Sequence, residues 1–312
     1  MITIERFRHR GCSVFAAICV CLFTLQTHGF AQSNPNLMLV KVNGKAVTQG
    51  DLDFYFLSRG FDQNRQKANR HAILERLIDR QLMKAFLKLR KAKVNKREVD
   101  LRIGRVHKLI KKQGDEPEAI LAKLGMTPKR LKSEIELPLA WNIHFLRMVP
   151  EESIREYFKK HRGYFDGTEV RASQILLKIS RGANKQHRKN IAEKLNKIRS
   201  EISAGKVTFE QAAKKHSQAA SRDDGGDMGF FPYRGKESRV IANVAFSLRV
   251  GEISHPFETP FGMHILKVTK IKEGELSLED ARQQVLKQLS NEKWNEVVKD
   301  LRSKAKIEWL NR

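Results

Sequence analysis

Hydrophobic residues recur at helical spacing through most of the first half of the chain. The clearest stretch is 71–91, HAILERLIDRQLMKAFLKLRK. Its apolar stripe, with members three or four positions apart, consists of Leu74, Leu77, Ile78, Leu82, Phe86 and Leu89. This spacing predicts one long amphipathic helix. Before it, NLMLVKVNGKAVTQGDL predicts two short strands joined by an Asn43-Gly44 turn, followed by the start of a helix.

Further helices are predicted up to residue 162. One begins after Asn95, a candidate N-cap, and ends near Gly114. The others are EPEAILAKLG, the segment LKSEIELPLAWNIHFLRMV with a bend near Pro138, and EESIREYFKKH. Residues 36–162 are therefore expected to be mostly helical.

The pattern changes at about residue 163, where the Gly-punctuated HRGYFDGTE is typical of a linker. VRASQILLKI follows, and its alternation predicts a strand with Val170, Ala172, Gln174 and Leu176 on one face. Gln174 is thus a polar residue among apolar neighbours.

The rest of this region predicts a helix near 185–204, a short helix capped by Thr208, and a glycine-rich turn region, RDDGGDMGFF. VIANVAFSL predicts a helical turn or two, GEISHPFETPFG a loop with short extended pieces, and MHILKVTKI a closing strand. This order predicts an α+β domain with a small antiparallel sheet flanked by helices. From residue 275 the chain predicts a long amphipathic helix and a terminal extended piece. The apolar stripe of this helix needs a partner surface, for which the helical N-terminal half is the candidate.

The first 31 residues have the three parts of a secretory signal peptide. A basic start is followed by the apolar run GCSVFAAICVCLFTL and by Gly29 and Ala31 at the −3 and −1 positions of a cleavage site. The alternative is a retained N-terminal membrane anchor. All three cysteines (Cys12, Cys19 and Cys21) lie in this segment, so the exported chain is expected to have no disulfide, thiol nucleophile or thiolate metal site.

The stretch GGDMGFF…AFSLRVGEISHPFETPFGMHILKV resembles the parvulin-type (PpiC, rotamase) peptidyl-prolyl isomerase domain. VRASQILLKI and TFEQAAKKHS match the opening strand and following helix of that family, so that the likeness covers about residues 168–271. VNGKAVTQGDL and the long ILERLIDRQLM helix resemble the N-terminal domain of SurA-type periplasmic chaperones, in which a C-terminal helix packs back onto that domain. Together with the signal peptide, these likenesses predict four segments: signal peptide 1–31, helical chaperone-like domain 32–165, parvulin-like domain 166–272 and C-terminal helix 273–312.

The resemblance implies a site made of a hydrophobic proline shelf beside a hydrogen-bonded set of two histidines, a hydroxyl and a Cys or Asp. The second histidine matches His264 and the hydroxyl matches Thr259. The first histidine matches Gln174, which can still hydrogen-bond His264 but cannot titrate, and the Cys or Asp matches Ala219. The expected catalytic set is therefore His264, Thr259 and Gln174, reduced from the family pattern.

Substrate contacts are expected from Met228 at the shelf, Ala219, Ile241 and Phe246. The usual Met and Phe of the next helix fall at Glu237 and Ile241 when one inserted residue is allowed. Each of these positions has an ordinary structural alternative: His264 could be a satisfied core histidine, and Met228, Ile241 and Phe246 could be plain core. No metal site or cofactor is expected, because no His/Asp/Glu cluster has ligand spacing and no phosphate-binding loop precedes a helix.

The chain is strongly basic, with 60 Lys and Arg against 35 Asp and Glu and a formal charge of +25. Such a charge favours anionic partners. Anionic lipid, lipopolysaccharide or acidic client segments are candidates, while nucleic acid is not expected because of the signal peptide. The loop KISRGANKQHRKN carries Lys178, Arg181, Lys185, Arg188 and Lys189. The parvulin resemblance implies that they favour an acidic or phosphorylated residue before proline, and the alternative is a solvated helix start.

Three functions remain open from the sequence. The first is a periplasmic folding factor that binds unfolded, proline-containing polypeptides and whose isomerase domain has an incomplete catalytic set. The second is a working peptidyl-prolyl isomerase. The third is a basic binding protein for anionic envelope polymers.

Overall fold

The computed structural model describes residues 34–112, 114–180 and 182–310. The predicted signal peptide, residues 1–31, lies outside the described residues. The chain divides into two compact units, one that runs to Met148 and resumes at Ser290, and one from Val149 to Leu289. None of the described helices combines the length and the apolar composition needed to cross a bilayer.

The first unit is a small sheet with a set of helices. Its elements are β1 Met38–Val42, β2 Lys45–Thr48, α1 Gln49–Ser58, α2 Gln63–Leu89, α3 Lys96–Lys112, α4 Pro117–Lys123 and α5 Pro128–Met148, with the second half of α10 Leu278–Ser303 and β7 Ile307–Trp309. The strand order is β2-β1-β7, and both pairings are antiparallel.

The predicted hairpin and helices of this unit are present. Asn43 and Gly44 both have positive φ, 49° and 79°, as a two-residue hairpin turn of the right twist requires. Thr48 caps α1 through a capping box with Asp51. Helix α2 begins eight residues before the predicted stretch, because Asp62 accepts a hydrogen bond from the Arg65 backbone N–H and so provides its N-cap.

The second unit holds the parvulin-like region. Its elements are α6 Glu151–Lys160, a 3₁₀ turn at Arg162–Tyr164, β3 Glu169–Leu177, α7 Lys185–Ser203, α8 Phe209–His216, β4 Asp227–Pro232, α9 Arg239–Ser247, β5 Phe257–Thr259 and β6 Gly262–Lys272, with the first half of α10. The four strands are antiparallel in the order β4-β3-β6-β5. The predicted α+β class with a small antiparallel sheet is confirmed.

The two faces of this sheet have separate cores. On one face, Ile175 and Leu177 of β3 pack with Leu195 of α7 and Phe209 of α8. The other face is the one predicted to carry Gln174. Its core consists of Val170, Ala172, Phe231, Ile241, Ala245, Leu266 and Val268.

Three sequence expectations were wrong in detail. The region RDDGGDMGFF is not only a turn, because its second half forms β4 beside β3 and buries Phe231 completely. The segment around residue 163 is not an exposed linker, since Phe165, Asp166 and Thr168 are buried. Leu89, expected on the apolar stripe of α2, is 83% exposed at the end of that helix.

The buried segment after residue 163 is held by hydrogen bonds. Asp166 accepts from the Thr168 backbone and hydroxyl at 2.9 and 2.6 Å, and its carbonyl accepts from the Leu276 N–H at 2.9 Å. Gly274 donates to the Thr168 hydroxyl at 3.1 Å. The expected boundary between residues 165 and 166 therefore falls inside a hydrogen-bonded segment of the second unit.

Candidate functional site

The register between β3 and β6 brings Gln174 and His264 to the same face of the sheet. Leu176 pairs with His264, and Gln174 pairs with Leu266, so Gln174 and His264 are diagonal neighbours. The Gln174 Oε1 lies 3.1 Å from His264 Nδ1. The hydrogen bond expected between these two residues is therefore present.

The short β5–β6 hairpin places Thr259 on the other side of the imidazole. Thr259 pairs with Gly262, and its Oγ1 lies 2.7 Å from His264 Nε2. The backbone N–H of Phe261 donates to the same hydroxyl oxygen at 3.1 Å. The three predicted catalytic-set residues thus form one hydrogen-bonded chain, Gln174–His264–Thr259.

The donors and acceptors of this chain follow from the chemistry of its ends. An amide oxygen only accepts, so Nδ1 of His264 carries the proton that Gln174 Oε1 receives. Because burial lowers the pKa of His264 to about 4, Nε2 is unprotonated at neutral pH and accepts the hydroxyl proton of Thr259. The imidazole is neutral in this arrangement, and each of its nitrogens has a partner.

Burial is the reason that the His264 side chain is neutral. The side chain is 2% exposed and lies against the Phe257 ring, with centroids 5.5 Å apart and planes 16° apart. Burial lowers the pKa of His264 from 6.5 to about 4. At neutral pH this residue therefore offers a polar, uncharged group rather than a cation.

The glycines of GGDMG support the Gln174 side of the site. The Gly226 carbonyl accepts a hydrogen bond from the Gln174 backbone N–H at 2.8 Å. Gly226 has φ +86°, and a Cβ at this position would lie 2.4 Å from the Gln174 carbonyl oxygen. Only glycine fits here, because the two backbones are in contact.

The expected substrate-binding residues Met228, Ile241 and Phe246 differ in how deeply they are buried. Met228 and Phe246 are partly buried and pack against the same apolar core as Leu266, whereas Ile241 is 5% exposed and belongs to that core. Phe246 also contacts the rings of Tyr164 and Tyr233, at centroid distances of 6.0 and 5.3 Å.

Ala219 lies just after α8 and is half-buried. Its backbone N–H donates to the Ser217 hydroxyl at 3.2 Å, and that hydroxyl also accepts from the Leu176 N–H. Its methyl side chain can neither donate nor accept, so this position adds no group to the Gln174–His264–Thr259 chain.

Two contributors to the site were missed at the sequence level. Phe257 stacks on His264, and its alternation with Thr259 along β5 was the signal that could have identified it. Ser254 supports the neighbouring strand residue by accepting from the Leu266 N–H at 2.9 Å. It had no comparable signal, because it lies in an irregular loop.

The basic loop after β3 is only partly available to a ligand. Arg188 forms an ion pair with Glu258, the residue before Thr259. Lys185 begins α7, which Asn184 caps. Arg181 lies outside the described residues. No group of three or more His, Asp or Glu side chains in the described part of the chain is arranged to hold a metal ion.

Comparisons with known proteins agree with the sequence resemblance. Residues 175–270 match the family model of the PPIC-type PPIASE domain. A SurA protein of Haemophilus influenzae is 38% identical over 152 residues, which cover 47% of this chain and 47% of that protein. Foldase protein PrsA 2 of Bacillus cereus is 30% identical over 169 residues, which cover 54% of this chain and 52% of that protein.

These alignments span about half the length of the curated relatives. Among solved structures, PrsA from Bacillus anthracis aligns over 74% of this chain and 96% of its own, with 23% identity and a TM-score of 0.43. The chain therefore carries a PPIC-type peptidyl-prolyl isomerase domain over residues 175–270 and is homologous to the SurA and PrsA foldases.

Proposed function

We propose that this protein is an exported folding factor that binds unfolded, proline-containing polypeptides, and that the catalytic set of its isomerase domain is incomplete. The domain match and the homology to foldases support the folding role. The signal-peptide pattern of residues 1–31 supports export to the periplasm.

The observation that carries the proposal is the composition of the Gln174–His264–Thr259 chain. Rotation about an X–Pro bond has a barrier of about 18–20 kcal/mol and requires no nucleophile. It does require a pocket that holds the proline and favours the twisted amide over both planar forms. An apolar face with Met228 suits the proline ring, so client binding does not depend on a second histidine.

Catalysis depends more closely on the polar groups beside that face. Gln174 fills the hydrogen-bonding role of a histidine without its capacity to titrate, and Ala219 supplies neither an acid nor a thiol. His264 is held neutral between two partners that already satisfy it. The domain is therefore proposed to bind X–Pro segments and to isomerise them slowly.

The competing function is a working isomerase, and the intact Thr259–His264 hydrogen bond favours it. The rate of cis/trans exchange in an X–Pro peptide, measured in the presence of the chain from residue 32, distinguishes the proposed function from a working isomerase. Under the proposal, the wild-type rate stays within about tenfold of the spontaneous rate, which corresponds to about 1.4 kcal/mol of barrier lowering. A much larger acceleration would establish the isomerase and contradict the incomplete-set proposal.

The double variant Gln174→His, Ala219→Asp restores the family pattern and should raise the exchange rate at least about tenfold over wild type. Its matched control is Gln186→His, Ala204→Asp, which makes the same chemical changes at exposed positions on α7 and its C-cap. Equal rates for both double variants would show that the missing groups are not what limits catalysis. Client binding has a separate readout: the wild-type chain should delay aggregation of an unfolded, proline-containing protein, and no delay would count against the folding-factor role.

A further inference from the structure

Helix α3 uses one side for packing and leaves the other to solvent. Val99 is 1% exposed, and Ile103 and Ile110 pack against the core formed by Leu121, Met126 and Leu131. These α3 residues recur every three or four positions, so the apolar stripe that folds the helix is already covered.

The opposite side we call the α3 outer face. Its exposed residues recur at spacings of one, three or four positions, and they are Arg97, Leu101, Gly104, Arg105, Lys108 and Lys112. Leu101 lies at the centre of this face and is 52% exposed. A leucine surrounded by cations, opposite the buried stripe, makes no contribution to the core.

Five of the cations of this helix have no acidic partner among the described residues. Lys96, Arg97, Lys108, Lys111 and Lys112 form no salt bridge with any residue in the described part of the chain, whereas Arg102, at the side of the helix, pairs with Glu98. Over residues 84–112 the sequence has twelve Lys and Arg and two Asp and Glu. The self-repulsion of so many like charges is relieved by an anionic partner.

The shape of the surface indicates what kind of partner fits. The shallow depression on this face is lined only by α3 residues, from Lys96 to Lys108, and includes Asp100 as its one acidic side chain. Gly104 lies in it, and a Cβ at that position would meet nothing within 4 Å. A peptide bound here would contact only this one helix, with no second element to form the other side of a groove. A broad, flat partner such as a membrane surface does not need a groove.

We propose that the α3 outer face docks on a bilayer rich in anionic phospholipid. The lysines and arginines lie at the headgroups, where each adds to the electrostatic attraction between the protein and the anionic lipid. Leu101 enters the interfacial region. The long aliphatic stems of the cations add apolar contact while their charged ends stay in water. This proposal does not rest on the isomerase domain, which lies elsewhere in the chain.

The test is cosedimentation of the chain from residue 32 with vesicles containing about one third phosphatidylglycerol in phosphatidylcholine, at an ionic strength of about 0.1 M. The triple variant Arg97→Glu, Lys108→Glu, Lys112→Glu should bind at least about tenfold more weakly than wild type. Its control, Lys194→Glu, Lys197→Glu, Lys206→Glu, makes the same net charge change at exposed positions of α7 and the turn after it, and should bind within about twofold of wild type. Circular dichroism verifies that both variants fold.

Two further variants test whether Leu101 enters the interfacial region of the bilayer. Leu101→Gln should weaken vesicle binding about threefold or more, while Val250→Gln, at another exposed apolar residue that is 58% exposed, should not. Equal loss in both triple variants would overturn the proposal, because net charge rather than this face would then govern binding. Failure of the wild-type protein to bind the vesicles would also overturn the proposal. If the protein then bound polyglutamate tightly, the α3 outer face would be a site for an acidic polypeptide instead.

Discussion

A glutamine on a buried strand face is the residue on which the interpretation of this protein depends. Its side chain completes the hydrogen bonds of a neutral imidazole, with Gln174 on Nδ1 and Thr259 on Nε2 of His264. The sequence predicted the contact because the resemblance put both residues at matching positions. It could not predict the protonation state, which depends on the burial of His264 and on the stacked Phe257 ring.

The lowered pKa of His264 makes a prediction about stability. The unfolded chain takes up a proton at this residue below pH 6.5, while the folded chain does so only near pH 4. Stability from the neutral imidazole is therefore complete above pH 6.5 and is lost as the pH falls through this window. Compared with His264→Gln, wild type should lose up to about 3 kcal/mol more unfolding free energy between pH 7 and pH 4.

Denaturant unfolding at several pH values measures this difference. The nontitrating variant removes only the contribution of the imidazole, so other titrating groups cancel between the two curves. Curves that stay parallel across the window would contradict the assignment of a buried, neutral His264.

At the scale of elements, local patterns predicted helices more fully than strands. Helix α7 and the capped α8 were identified from apolar spacing and from Thr208, because both signals come from residues close in sequence. Strand β4 was missed because two glycines precede it and a third, Gly229, lies within it, and glycines are typical of turns. Its pairing with β3, reinforced by the ion pair between Arg171 and Asp227, is a contact with residues far away in the chain.

The glycine that precedes β4 gives a prediction at this scale. Gly226→Ala should lower the free energy of unfolding by at least about 2 kcal/mol, because φ +86° is strained for alanine and the new methyl group meets the Gln174 carbonyl. Gly104→Ala, in a helix with open space around it, should instead raise stability by about 0.5–1 kcal/mol.

Thermal and denaturant unfolding of the two variants test this contrast. The same glycine-to-alanine change is made in both, so the sign of the effect depends on the local backbone alone. A neutral Gly226→Ala would mean that the β4 turn does not press against Gln174 as described.

At the scale of the whole chain, the second half of the C-terminal helix belongs to the first unit, whereas its first half, which was also predicted to pack there, belongs to the second unit. Trp141 of α5 donates to the Ser290 hydroxyl at 2.8 Å and meets the Trp294 ring edge-on at 5.3 Å. Arg302 bonds Asp79 and the Glu75 carbonyl of α2, and β7 adds a third strand beside β1. The amphipathic pattern of α10 showed that a partner was needed, and only the structure shows these particular contacts.

Arg302→Ala should therefore destabilise the first unit by about 1–2 kcal/mol, because two half-buried acidic residues lose their partner. Tryptophan fluorescence reports this unit directly, since all three tryptophans, Trp141, Trp294 and Trp309, belong to it. The control Arg155→Ala removes exposed ion pairs at 3.9–4.0 Å in α6 and should shift the transition by less than about 0.5 kcal/mol.

An unchanged fluorescence midpoint in Arg302→Ala would contradict the role given to the C-terminal helix. Equal shifts of the transition in Arg302→Ala and Arg155→Ala would contradict it too. The loss of stability would then result from removing a positive charge and not from losing the contacts of Arg302.

The sequence by itself determined the elements with local signals: the Asn43-Gly44 hairpin, the amphipathic helices and their caps, and the strand alternation that puts Gln174 on one face. It also predicted the isomerase-type domain, which the family match over residues 175–270 confirms. The assignment of Gln174 and Ala219 to the positions of the family's histidine and its acid or thiol stays a prediction. The tertiary structure decided what lies beside each of these residues: the register that joins Gln174 to His264 across ninety positions, the burial that keeps the imidazole neutral, and the exposure of the basic face of α3. Local propensity acts through neighbours in the chain, whereas burial, protonation and surface charge depend on which distant segments pack together.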